Sequence, residues 1–200
     1  MHARAVTFRG ATDIDAGLDL VREQVIPMLK QQKGYRGISV SADRAGGVVG
    51  VLTMWDTEAD RDASESSAEK ARQEAARVVG GEISVETFEH IVQELAGEPP
   101  SAGSPLTIMP ISMDPSKVDD NIAFFQSTVA PEIKATPGFR ALRLLINRQS
   151  GRGVVGTVWA NEDSRRQALE AGKARQARAR ERGVEFGEPS LRQILLAEFV

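Results

Sequence analysis

Two tryptophans, two arginines and one tyrosine are the residues of this chain whose types and spacing best suit binding chemistry. Trp55 and Trp159 each stand two residues after a threonine, in Thr53-Met54-Trp55 and Thr157-Val158-Trp159. An indole at the end of a strand can wall a pocket and stack on a flat ring system, or can cover a sheet as plain packing. Arg36 and Arg140 each follow an aromatic residue, Tyr35 and Phe139. A guanidinium there can clamp a carboxylate or phenolate through its fork of donors; pairing with a neighbouring helix or facing solvent is the alternative. Tyr35, the only tyrosine, can hydrogen-bond or deprotonate a quinol, but its counterpart Phe139 cannot, so it serves either one half of the chain or the packing. His90 has Gln193 as counterpart. It reads chemically as a general base for a phenolic proton, and structurally as a hydrogen-bonded strand histidine. Arg143, opposite Ser39 in the repeat, would distinguish the halves. No residue is assigned as catalytic.

Composition narrows the chemistry further. The chain has no cysteine, which excludes disulfides, thiolate nucleophiles, iron–sulfur clusters and Cys-ligated zinc. Two histidines far apart in sequence make no metal site, so no metal is expected. The net charge of −3 conceals an asymmetry: residues 1–100 carry −6 and residues 101–200 carry +3, opposite signs that suit docking of the halves. The segment after Asn161 holds seven basic and four acidic residues but no interleaved aromatics, so it reads as a solvated face or a surface for an acidic partner, not as a nucleic-acid surface. Gly46-Gly47 and Gly151-Arg152-Gly153 fall in predicted turns and precede no helix, so they are not phosphate loops. No apolar run approaches a membrane span, and the amino terminus alternates polar and apolar residues without a signal-peptide core. The expected setting is cytoplasmic.

The elements that must hold these side chains occur twice. Gly34 to Trp55 and Gly138 to Trp159 align without a gap at an offset of 104 residues, each reading as strand, tight turn, strand. Before them, Ile14, Leu18, Val21, Val25 and Leu29 mark one face of a helix, matched by Val118, Ile122, Phe125, Val129 and Ile133. Pro27 and Pro131 occupy equivalent positions and are expected to kink that helix or end its first part. After each hairpin comes a capped second helix, starting near Asp56-Thr57 and at Asn161. Lys70-Ala71-Arg72-Gln73 recurs as Lys173-Ala174-Arg175-Gln176 at an offset of 103, so one residue was lost in or near that helix. A last strand closes each half, Ile83 to Leu95 and Pro189 to Val200, with Phe88, His90 and Val92 expected on one face. The order β-α-β-β-α-β defines a ferredoxin-like α+β unit. Residues 1–95 and 106–200 are the expected units, joined by the Pro/Gly/Ser-rich linker 96–105.

The pattern of a helix ending before Gly-(aromatic)-Arg, a hairpin, and a closing Trp with an acidic helix start resembles the antibiotic biosynthesis monooxygenase domain family. The residues that carry the resemblance are Pro137-Gly138-Phe139-Arg140 with Val158-Trp159-Ala160-Asn161-Glu162, and Gly34-Tyr35-Arg36 with Met54-Trp55-Asp56-Thr57-Glu58. The resemblance implies two repeats packed sheet to sheet as an intramolecular dimeric α+β barrel, with ligand space between sheet and helices in each half. It also implies oxidation of a phenolic or quinol substrate by O₂ without a cofactor, or a non-catalytic binding or interaction module on the same fold. Trp55, Trp159, Arg36, Arg140 and Tyr35 are then the substrate-binding candidates. Haem degraders that resemble this pattern use a His on the second helix and an Asn on the first strand. Residues 57–80 and 161–183 contain no His, and residues 2–9 and 106–113 contain no Asn, which disfavours that chemistry. The expected partner is a small-molecule ligand; the sequence is compatible with a homo-oligomer of the two-repeat chain.

Overall fold

A computed structural model of the protein describes residues 1–199. The chain forms two compact units: Met1–Thr87 together with the segment from Gln193 onward, and Phe88–Arg192. In the first unit β1 (His2–Arg9), β2 (Tyr35–Asp43) and β3 (Val48–Trp55) form an antiparallel sheet, with β3 central. Their registers set Arg4 opposite Thr53 and Tyr35 opposite Trp55. Packed on this sheet are α1 (Ile14–Leu20), α2 (Ile26–Lys30), α3 (Glu58–Ala63) and α4 (Glu65–Val79). The predicted helix face supplies the core: Ile14, Leu18, Val21 and Leu29 are buried against Ile38, Val40 and Trp55.

Pro27 does not end its helix. Residues Val21–Val25 widen into one π-helical turn, in which the Ile26 N–H bonds the Val21 carbonyl, and the helix resumes. Proline lacks the N–H that an α-helix needs and its ring crowds the carbonyl four residues back. The wider turn relieves both conflicts. The same device recurs over Phe125–Val129 ahead of Pro131.

The second unit repeats the plan with β5 (Pro105–Ser112), α5 (Val118–Phe124), α6 (Ala130–Lys134), β6 (Phe139–Asn147), β7 (Arg152–Trp159) and α7 (Glu162–Glu181). A two-residue β8 (Glu185–Phe186) pairs with the end of β5. The register of β5 on β7 sets Thr107 opposite Thr157, so Thr107, not Ile108, is the structural counterpart of Arg4. Val118, Ile122, Val129 and Ile133 are buried with Leu142, Leu144 and Trp159.

The compact units differ from the sequence repeats by their last strands. β4 (Glu82–Leu95) is 14 residues long; from Glu89 onward it pairs with β6 of the second unit. β9 (Ser190–Phe199) pairs with β2 of the first unit from Gln193 onward. A strand of 14 residues is longer than the eight- and nine-residue strands of the sheets, and its surplus backbone N–H and C=O groups find partners on the other repeat's β6. No helix among the described residues is long and apolar enough to cross a membrane.

The two units close their helix layers differently. Gly17 on α1 lies against Val79 at the end of α4, where an added Cβ would sit 2.3 Å from a valine methyl. The counterpart pair is Asn121 and Arg182, joined by a hydrogen bond from the Arg182 Nε to the Asn121 Oδ1 at 3.3 Å. Gly→Ala within a helix ordinarily stabilises by roughly 0.4–1 kcal/mol. At Gly17 the clash reverses the sign: Gly17→Ala is expected to lower the unfolding free energy by roughly 1–3 kcal/mol, read from the urea midpoint.

Candidate functional site

Each Thr-x-Trp segment builds the same local structure. Residues two apart on a strand share a face, so the indole lies beside the threonine before it. The Trp55 Nε1–H donates to Thr53 Oγ1 at 3.2 Å, and the Trp159 Nε1–H donates to Thr157 Oγ1 at 3.1 Å. Each ring also meets its cross-strand aromatic edge-on, Tyr35 at 5.7 Å and Phe139 at 6.1 Å between centroids. The spacing legible in the sequence is therefore a device for burying an indole with its donor satisfied.

What lies beside that indole differs between the units. In the first, Arg4 is 3 % exposed, with its guanidinium 6.0 Å from the Trp55 ring centroid. It donates to Ser64 Oγ at 3.0 Å and to the Arg61 carbonyl at 2.6 Å, and pairs with Glu65 at 2.7 Å. These partners exist because the second helix is broken at Ser64, between α3 and α4. The second unit has one residue fewer here, and α7 runs unbroken through the region. The break exposes a carbonyl, and Arg4 satisfies it. The space left beside Arg4, Val51 and Thr53 is about 70 Å³.

In the second unit Thr107 replaces Arg4, so no guanidinium enters from β5. A cavity of about 130 Å³ lies between the sheet and the helices, walled by Trp159, Met109, Phe124, Phe125 and Leu144. That is many times the roughly 10–15 Å³ that one water needs. Its polar side chains are Thr107, Asn121, Thr157, Arg175 and Gln176. Thr107 is 4 % exposed and its hydroxyl has no hydrogen-bond partner. Among the described residues no carboxylate or imidazole lines this cavity, and no group of three His, Asp or Glu side chains gathers as a metal site.

The sequence candidates separate accordingly. Trp159 walls the larger cavity. Trp55, its counterpart, is fully buried in the first core under Arg4 and lines neither cavity. Arg36 is on the surface, in a two-point ion pair with Asp56 at 2.6 and 2.8 Å, so it is no pocket clamp. Arg140 also lies outside the cavity; its backbone carbonyl accepts from the Ala96 N–H and its guanidinium lies against Gly97. Tyr35 is buried beside Trp55, and burial, with the nearby Glu198, pushes its phenol up to about 12, so it is no base at neutral pH. The hairpin bulges after Tyr35 and Phe139 put each arginine outside the pocket face.

His90 is also away from the cavity, and not on the face expected for it. The β4–β6 register slips between His90 and Val92, so Val92 joins the helix-facing core while His90 shares the opposite face with Leu145 and Arg143. One bulged residue moves every later side chain to the other face. Arg143 stands opposite Gly156 across the strands, where the first unit pairs Ser39 with Leu52. Burial, then the charge of Arg143, pushes the His90 imidazolium down to about 4, and burial lowers the Arg143 guanidinium to about 10. The residues that sequence reasoning missed are Arg4 and Thr107. Their signal, a cation against a small polar residue opposite the same threonine, becomes visible only in the strand registers.

No protein-family profile matches the chain. Two uncharacterized Mycobacterium tuberculosis proteins are similar in sequence. Rv2557 is 28% identical over 165 residues, covering 82% of this chain and 73% of its own length. Rv2558 is 26% identical over 188 residues, covering 92% and 79%. Among solved structures, a Fusobacterium nucleatum protein provisionally named a monooxygenase superposes with a TM-score of 0.74 at 10% identity, covering 99% of this chain and 94% of that one. An anthrone oxidase-like protein superposes at 0.69 and 15% identity, covering 99% and 93%. A Listeria monocytogenes ferredoxin-fold protein related to antibiotic biosynthesis monooxygenases superposes at 0.54 and 8% identity, covering 96% and 94%. The chain therefore shares the ferredoxin-like α+β fold of these proteins.

Two measurements test this account of the site. Arg4→Met removes the bonds to Ser64 and the Arg61 carbonyl and the ion pair with Glu65, leaving the Ser64–Arg61 hydrogen bond in place, and is expected to cost about 1–3 kcal/mol, whereas Thr107→Val, which deletes an orphaned hydroxyl, is expected to be neutral or stabilising by up to about 1 kcal/mol in denaturant unfolding. His90 binds a proton in the unfolded chain near pH 6.5 and in the native protein only near 4, so stability rises with pH across that window and is lost on acidification through it. His90→Gln should flatten the pH 4–6.5 slope of the melting temperature, an effect on the order of 2 kcal/mol.

Proposed function

We propose that the second unit binds a flat, largely apolar small molecule between its sheet and helices, and that the protein oxidises a phenolic or quinol substrate there with O₂ and no cofactor. The observation that carries this reading is the cavity walled by Trp159, with the unpartnered Thr107 hydroxyl among its few polar groups. The indole stacks on a flat ring. The Thr107 hydroxyl gains a partner when a ligand oxygen reaches it, which recovers the loss that an unmade buried hydrogen bond carries. The names borne by structural relatives, a provisionally named monooxygenase and an anthrone oxidase-like protein, point the same way at the level of fold.

The chemistry must suit a site without a base. Asn121, Gln176, Thr107 and Thr157 do not take up protons at neutral pH, and Arg175 is already cationic. The substrate therefore has to ionise through its own acidity. Its electron-rich ring carbon then adds O₂, and the hydroperoxide formed loses water. The sum, phenol plus O₂ to quinone plus water, balances without an external reductant. The protein contributes shape, exclusion of water and one hydrogen bond to an oxygen.

The same absence of a lining carboxylate or imidazole favours a second reading, a binding module on this fold that performs no chemistry. Oxygen consumption by the cofactor-free protein, measured against hydroquinones and polycyclic phenols, separates the two. The oxygenase reading expects saturable uptake with at least one compound, lowered about tenfold in Trp159→Phe and unchanged in Trp55→Phe. No uptake above background with any compound, from folded protein that binds the same compounds, leaves the binding module.

A further inference from the structure

Arg175 is the one cation among the polar residues that line the larger cavity. Its counterpart Arg72 has a built-in anion: Glu65, seven residues earlier, forms an ion pair with it. Seven residues before Arg175 stands Ala168, a buried residue that also lines the cavity. The spacing is the same and the carboxylate is gone. Arg175 makes instead one long hydrogen bond, from its guanidinium to the Ala168 carbonyl at 3.4 Å, and among the described residues no ion pair. The carboxylate whose charge acts on it is Glu132, which is engaged by Arg178 at 2.5 Å. Burial lowers the Arg175 pKa, and the charge of Arg178 lowers it further, against the pull of Glu132. A half-buried guanidinium facing an apolar cavity, with its inherited partner deleted, is an unfilled anion site.

We propose that the cavity selects ligands bearing one anionic oxygen group, a carboxylate or an ionised phenol on an otherwise apolar ring system, and that Arg175 is the residue that selects them. This rests on the reading that the cavity is the binding site. The anion takes the place that Glu65 holds beside Arg72 in the first unit, and Gln176, the next residue on α7, offers an amide donor beside it. The first unit is not equivalent, because there Glu65 pairs with both Arg72 and Arg4 and already holds the place of the anion. The chain is therefore expected to carry one anion-selective site, not two.

The test is fluorescence titration of the full chain with anthracene-2-carboxylate and its neutral isostere 2-(hydroxymethyl)anthracene. The carboxylate is expected to bind about tenfold more tightly than the alcohol, at one site per chain, the size of one charge-assisted hydrogen bond. Arg175→Gln should bring the carboxylate down to the affinity of the alcohol and leave the alcohol unchanged. Arg175→Lys, which keeps the charge, should retain most of the preference. Arg36→Gln, at a surface ion pair, should retain all of it. Equal binding of the two probes by the native chain, or a preference that survives Arg175→Gln, overturns the anion site while leaving the cavity reading intact. Saturable binding of neither probe overturns the cavity reading, and the anion site with it.

Discussion

A buried indole leaves one N–H that has to be satisfied, and in both units the threonine two residues earlier on the same strand accepts it. That bond fixes the ring against the sheet at the place where the helices cross above it. Everything specific to the two cavities follows from the residue opposite that threonine on the neighbouring strand. Where it is Arg4, the space beside the indole is occupied and wired to the helix above. Where it is Thr107, the space is open and one hydroxyl is left without a partner.

The two halves thus divide a task that a symmetric duplicate would share. Arg4 and the break at Ser64 belong together, since the break frees the Arg61 carbonyl, which accepts from both the Ser64 hydroxyl and the long cation of β1. Restoring helical continuity, as α7 does, removes the need for that cation and leaves room. The change from Glu65 to Ala168 belongs to the same divergence, because an acid that pairs with two arginines in the first unit has one fewer to serve in the second. Similar exchanges occur at Gly17 and Val79 against Asn121 and Arg182, and at Ser39 and Leu52 against Arg143 and Gly156.

Much of the fold was legible in the chain, because helix faces, turn residues and repeat spacing are local signals. Ile14, Leu18, Val21 and Leu29 are buried together as their spacing predicts, and Thr57 and Asn161 cap the second helices through bonds to Asp60 and Ser164. The site was less legible. Trp159 and its buried twin Trp55 are indistinguishable in sequence, since what separates them is a residue some fifty positions away in each half. The bulges after Tyr35 and Phe139 and at Ile91 cost one residue of register apiece, which carries Arg36, Arg140 and His90 off the faces that strict alternation assigns them.

By itself the sequence determined the two-repeat α+β plan and the order of its main elements, because these depend on periodicity and on residues close together in the chain. Only the tertiary structure decided that β4 and β9 each pair across from their own repeat, that Arg4 narrows the first cavity while the second stays larger, and that Arg175 lacks an anion. Those outcomes depend on strand register and on partners distant in sequence, such as Arg4 with Arg61 and Ser64, whose meeting no local pattern encodes.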